Sequence, residues 1–198
     1  MANPIRGLYP LRGWRGDTTV CYVPSGDATA LFVGDLVKFS TDGDAIAGMG
    51  RMGVVQAAAS SSTNIHVGVV MSIDQVMGVA IGSENLNRKH RPASTAMFVN
   101  VITDPQVIYG IRSDDDAGAG DQTHIGSNGD IIVAAGNTST GYSGMQLDTS
   151  SITTTATLPL KIVGIVQRPG NIISAGLLDY EVIINTSYWH FGTVGNAV

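Results

Sequence analysis

With a single cysteine, Cys21, in 198 residues, the chain can form no intrachain disulfide, and nothing in it calls for an oxidising compartment. Charge is also scarce. Asp, Glu, Lys and Arg make up 14% of the residues, against roughly 25% in ordinary soluble domains. The 11 basic side chains are outnumbered by 16 acidic ones, for a net charge of -5, which argues against a surface that wraps nucleic acid through its phosphates. No run approaches the roughly 20 apolar residues that span a bilayer. Arg6, Arg12 and Arg15 interrupt any apolar stretch of a standard secretory signal. The expectation is a protein made in the cytoplasm, with neither membrane nor nucleic acid as a direct partner. Helical periodicity is nearly absent as well; one short helix is expected over 51–59, weakened by Gly53.

Glycine is plentiful, at 25 residues, and it punctuates short runs rich in Val, Ile, Thr and aromatics. That is the pattern of many strands joined by turns. Strands are expected at 19–23, 34–40, 66–73, 96–103, 106–112, 130–135, 159–167 and 180–188. The fold class is therefore all-β, built as barrel or sandwich modules with long loops.

An internal echo organises these strands. Gly34-Asp35-Leu36-Val37 is followed by Val67-Gly68-Val69-Val70, and Gly129-Asp130-Ile131-Ile132 by Val163-Gly164-Ile165-Val166. Each copy reads as a turn launching a strand, a polar excursion (41–64 and 136–157), and a second strand with a glycine at a bend or bulge. Between the copies, Asp104-Pro105 suits a turn and predicts a β-hairpin over 93–112. Residues 1–18, with Pro4, Pro10 and several turn-formers, read as an extended arm. The rest, 19–198, reads as a β-domain, divisible into two similar modules at about 19–92 and 113–198.

Catalytic chemistry finds little support. No Gly-x-Ser-x-Gly elbow occurs, and Cys21 lies in an apolar strand pattern that suits a buried structural thiol. His66, His90, His124 and His190 are scattered, without a His or Cys partner at metal spacing. Asp114, Asp115, Asp116 and Asp121 form an acidic, glycine-rich stretch, but the spacing does not match a helix-flanked calcium loop; a solvated turn is expected. Gly48-Met49-Gly50-Arg51-Met52-Gly53 matches a dinucleotide-binding fingerprint in letters, without the preceding buried strand or following helix that it requires. The expectation is no enzyme, no catalytic residue, no cofactor and no metal.

What stands out is the character of the two ends. Trp, Tyr and Arg concentrate binding energy at protein interfaces, and both tryptophans lie in terminal segments. The interface candidates are Arg6, Leu8, Tyr9, Leu11, Arg12, Trp14, Arg15, Tyr188, Trp189 and Phe191. The competing assignment is that Trp14 and Trp189 plug the ends of a barrel core.

The Gly-Asp-Leu-Val and Gly-Asp-Ile-Ile pair, the Val-Gly-Val-Val strand, the Asp-Pro turn and the Ser/Thr/Gly-rich background together resemble small capsid accessory proteins of tailed bacteriophages, the decoration or cement proteins. That resemblance implies a β-rich subunit on the outside of the virion, at junctions between copies of the major capsid protein, assembled as a trimer or dimer and without catalysis. The alternatives are another virion structural protein, in the tail or at the head-to-tail joint, and a receptor- or carbohydrate-binding β module.

Overall fold

A computed structural model describes residues 5–41, 50–59, 65–76, 88–114, 116, 120–173 and 176–189. The fold is all-β. Its strands are β1 (Tyr9–Arg12), β2 (Thr19–Val23), β3 (Leu36–Ser40), β4 (Gly53–Gln56), β5 (His66–Val76), β6 (Met97–Ile102), β7 (Ile108–Arg112), β8 (Asn128–Ile132), β9 (Gln146–Thr153), β10 (Leu160–Ile165) and β11 (Asp179–Ile184). A 3-10 turn, Gln122–His124, lies between β7 and β8.

Strands β2 to β6 close into a five-stranded barrel in the order β2-β4-β3-β5-β6. Its pairs are antiparallel except where β2 meets β4 in parallel at Tyr22 and Gly53. The remaining strands form a sheet in the order β1-β7-β11-β10-β8-β9. Read from β9, the run β9-β8-β10-β11-β7 repeats the run β4-β3-β5-β6-β2 of the barrel. Even the parallel closure has a counterpart, a single bridge between Ser113 and Leu147.

Alternation explains how the barrel has two apolar faces. Val37 of β3 and Cys21, Val23, Val99 and Val101 of β2 and β6 fill the interior, with Val54, Val67 and Val70. Burial pushes the Cys21 thiol up to about 12. Strict alternation would turn Val67 and Val69 to one side. Between β3 and β5, however, Val37 pairs with Gly68 while Lys38 pairs with His66, leaving Val67 as the extra residue of a bulge. The phase inverts there, and Val69 joins Leu36, Ala57 and Ile102 in a second core shared with β7 to β11. That shared core includes Tyr109, Ile111, Ile131, Leu147, Ile162, Tyr180 and Val182, all essentially fully buried. The two units are thus packed back to back through apolar surface.

Backbone bonds stitch the same junction. Leu8 N–H donates to the Gly34 carbonyl at 2.9 Å, Val33 N–H to Gly141 at 3.0 Å, and Ser143 N–H to Val33 at 2.8 Å. Gly7 and Gly34 sit at φ +67° and +95°, and a Cβ on either would strike the other segment's backbone, so this crossing admits only glycine. At the far side, residues 186–188 return from β11 to lie parallel to the start of β5. His66 N–H donates to Thr186 and Tyr188 N–H to the His66 carbonyl.

Four expectations change. The segment expected as a free arm is a strand of the molecule, because β1 pairs antiparallel with β7 and Leu8 is buried at 2% exposure in the shared core. The helix expected over 51–59 is strand β4, its Val54 and Val55 facing Phe39 and Lys38 of β3; two adjacent β-branched residues favour the pleat over the helix. The hairpin expected over 93–112 does not form: β6 pairs with β2 and β5, and β7 with β1 and β11, so Asp104-Pro105 makes the crossover between the units. Asp104 still caps that turn, accepting from Gln106 N–H at 2.8 Å. Finally, the polar excursion 136–157 contains β9, whose Leu147 and Thr149 alternate into the interior, just after the buried Met145.

Candidate interaction surface

The terminal residues singled out by sequence divide into those held by their own chain and those facing outward. Leu8 belongs to the core and is no interface residue. Tyr9 and Leu11 are half-buried in β1, and the Tyr9 hydroxyl donates to Asp179 at 3.3 Å. Arg12 is exposed and ion-paired with Glu181 on β11. Trp14 packs against the shared core while its indole N–H donates to the Asp17 carbonyl at 3.0 Å. Arg6 and Arg15 are exposed, with the Arg6 guanidinium 5.9 Å from the centre of the Tyr142 ring.

At the other end, Tyr188 stacks on Phe39 at 6.0 Å, and Trp189 meets Tyr188 edge-on at 5.1 Å. The Trp189 indole donates to the Val67 carbonyl at 3.1 Å, at the bulge of β5. Both tryptophans are therefore half-buried against their own fold. Phe191 and His190 lie outside the described residues.

Two outward features were not singled out by sequence. One is the β10–β11 loop. Its stem is closely bonded: Asn171 donates to the carbonyls of Val166 and Asp179, Asp179 N–H donates back to the Asn171 carboxamide, and Arg168 pairs with the buried Asp179 carboxylate. Its tip carries Ile172 at 67% exposure, Ile173 at 44% and Leu177 at 37%. The sequence signal is the stretch 169–178, ten residues without one charged side chain. The other feature is a cleft of about 400 Å³, lined by Ile5, Arg6, Ala134, Ala135, Tyr142 and Gln146 among others. Its Ile5 and Tyr142 are more than two-fifths exposed.

The titratable groups serve mainly structure. Asp35, fully buried at the start of β3, accepts from Phe32 N–H at 2.8 Å and from the Gln56 amide at 3.0 Å, and burial raises its carboxyl to about 6. His66, also buried, bonds Thr186 Oγ1 at 2.6 Å, and burial lowers it to about 4. His90 stacks on Phe32, and His124 bonds the Tyr180 hydroxyl at 2.8 Å. In the acidic stretch, Asp114 and Asp116 meet Asp148 of β9, with carboxylate oxygens within 4.8 Å of one another. Asp114 accepts from Thr149 N–H at 2.9 Å, and its carboxyl is raised by burial and by neighbouring Asp116. Asp121 instead caps the 3-10 turn, accepting from Thr123 N–H; Asp115 lies outside the described residues.

What this arrangement offers a partner is mostly shape and apolar area. Among the described residues, the exposed large hydrophobics are Ile5, Ile125, Tyr142, Ile172, Ile173, Leu177 and Tyr188. Comparison of the chain with protein-family models, curated proteins and solved structures finds no match.

Proposed function

We propose that this chain is a virion structural protein of the decoration or cement type, which binds the outer surface of a tailed-phage capsid and reinforces contacts between major capsid subunits. The observation that carries the reading is the surface of an all-β body: a chain with 14% charged residues displays seven large exposed hydrophobics among its described residues. Such surface suits a subunit that is covered in its working state. The construction supports a clamp as well. Two β units share one apolar core, β1 is paired onto the second unit and residues 186–188 are bonded to β5 of the barrel, so a pull on one face is carried through the body. Gripping several capsid subunits at once adds avidity without requiring any one strong contact. The net charge of -5 leaves packaged DNA aside as a direct partner.

The test is removal and add-back on particles. Particles lacking the protein should assemble and fill, then lose DNA on heating or osmotic shock, and purified protein should restore them. Sturdy particles that fail to adsorb to cells would replace this reading with a receptor-binding module. Absence of the protein from purified virions would end it.

A further inference from the structure

We infer that the Ile5–Tyr142 cleft binds a peptide segment of a partner protein, one that carries an Asp or Glu beside an apolar residue. Arg6 is the only charged residue lining the cleft. On a chain with 16 acidic and 11 basic side chains, no carboxylate lines this site. The Arg6 guanidinium is exposed and has no ion pair among the described residues. Its contact is the Tyr142 ring, 5.9 Å away at the centre, which leaves its N–H donors for a ligand. A second cation stands close by: the exposed Lys89 donates from Nζ to the Ser139 carbonyl at 2.7 Å, on the 137–142 loop that walls the cleft. A carboxylate arriving here meets opposite charge and no acid in the lining.

The rest of the lining selects a peptide over other acids. Asn137 Oδ1 accepts from Ser139 N–H at 2.9 Å and from Thr140 N–H at 3.1 Å, which fixes the carboxamide and leaves its two amide N–H donors without a partner among the described residues. Ile5, Ala134 and Ala135 supply apolar wall, and Tyr142 adds a ring that is 44% exposed. A sugar acid would set its hydroxyls against these walls unpaired. A peptide brings acidic and apolar side chains together, with backbone N–H and C=O groups between them. The cleft has groups to meet those as well. β8 parts from β9 after the Ile132–Gln146 pair, and neither Ala134 nor Ala135 makes a backbone bond to another described segment, so their backbone is open to an incoming chain. This site goes beyond the capsid role and is tested on the purified chain alone, so it stands or falls without that reading.

Selection of the full chain against a randomised pentapeptide library is the first measurement. Asp or Glu should be enriched at one position, next to an apolar residue; an even distribution, or enrichment of Lys and Arg, overturns the site. The best acidic peptide and its Asn or Gln counterpart are then titrated by fluorescence anisotropy, and the amide should bind about tenfold more weakly. Two variants at exposed positions locate the contact, with circular dichroism checking that the fold is kept. Arg6→Gln should bind the acidic peptide and its amide counterpart alike. Ala135→Trp, which fills the cleft, should weaken both by about tenfold or more. If Arg6→Gln still prefers the acidic peptide, or Ala135→Trp binds as the parent does, the cleft is not the site. Free glutarate binding as tightly as the peptide would make it a small-acid site and overturn the peptide assignment.

Discussion

The barrel of β2 to β6 and the unit of β7 to β11 share a strand order yet differ at one edge. In the barrel, β2 closes directly on β4, with Tyr22 N–H donating to Met52 at 2.9 Å. In the second unit, β7 reaches β9 only at its end, through the Ser113–Leu147 bridge and Asp114 N–H donating to Leu147 at 3.0 Å. The rest of that edge is taken by β1, which pairs Tyr9 with Gly110 and Arg12 with Ile108. In the second unit one short strand from elsewhere in the chain thus lies along the edge that closes the barrel in the first. An open edge left bare would invite pairing with other chains; β1 covers it from within.

The comparison breaks most visibly at the paired glycines. A Cβ on Gly68 would collide with the Ile102 carbonyl, whereas on Gly164 it would meet the Glu181 carboxylate at 3.1 Å, the movable end of a side chain. Gly68→Ala should therefore cost about 4 kcal/mol or more, and Gly164→Ala about 1 kcal/mol or less, measured by denaturant unfolding of the two variants. Equal costs would mean that the two positions are not held differently.

Leu8 tests how far the second unit depends on β1. Leu8→Ala should lose about 3 kcal/mol, as an essentially buried leucine does when truncated. Hydrogen exchange should rise first in β7 rather than in β2 if β1 protects that edge alone. For the barrel, Trp189→Ala removes the indole bond to Val67 and the packing on Tyr188, and should cost about 2 kcal/mol, with exchange rising at the start of β5.

The smallest effects concern pH, and they have opposite signs. Asp35 has its carboxyl raised to about 6 by burial, so its contribution favours the folded state at low pH and is lost as pH climbs through 6. His66 is lowered to about 4, so its contribution is present above the ordinary histidine value and is lost as pH falls toward 4. Between pH 4 and 6 the two slopes oppose. Asp35→Asn should leave a stability that rises with pH across this window, and His66→Gln one that falls, each by on the order of 1–2 kcal/mol. Matching pH profiles for the two variants would refute the assignment.

Much of the architecture could be read from sequence where apolar alternation was strong. β2, β5, β6, β10 and β11 all announce themselves as Val- and Ile-rich runs. β9 did not, because Gln146–Thr153 is mostly Ser, Thr and Asp and buries only alternate residues, one of them a threonine held by Asp114. β1 was hidden by Pro10, a residue tolerated at a sheet edge but uninformative in a short segment. The partner of β6 was misjudged for a different reason: a turn signal such as Asp104-Pro105 says that the chain bends, not which strand it then joins. Of the outward surface, sequence pointed to the termini, whose apolar residues proved largely committed to the fold. The exposed loop tip was present as an uncharged stretch, but without burial its isoleucines could not be told from core residues.

The placement of β1 has a consequence in time. Tyr9 is made roughly a hundred residues before its partner Gly110, a separation that slows pairing. The barrel of β2 to β6 can be complete before β7 exists, with the segment bearing Leu8 left waiting in solvent. Its apolar side chain is shielded only when the second unit forms, and the return of residues 186–188 to β5 comes later still. A nascent chain stalled between the two units would therefore hold a finished barrel and a sticky leader, a state that a ribosome-bound intermediate or a truncation at the β6–β7 crossover should reproduce as an aggregation-prone species.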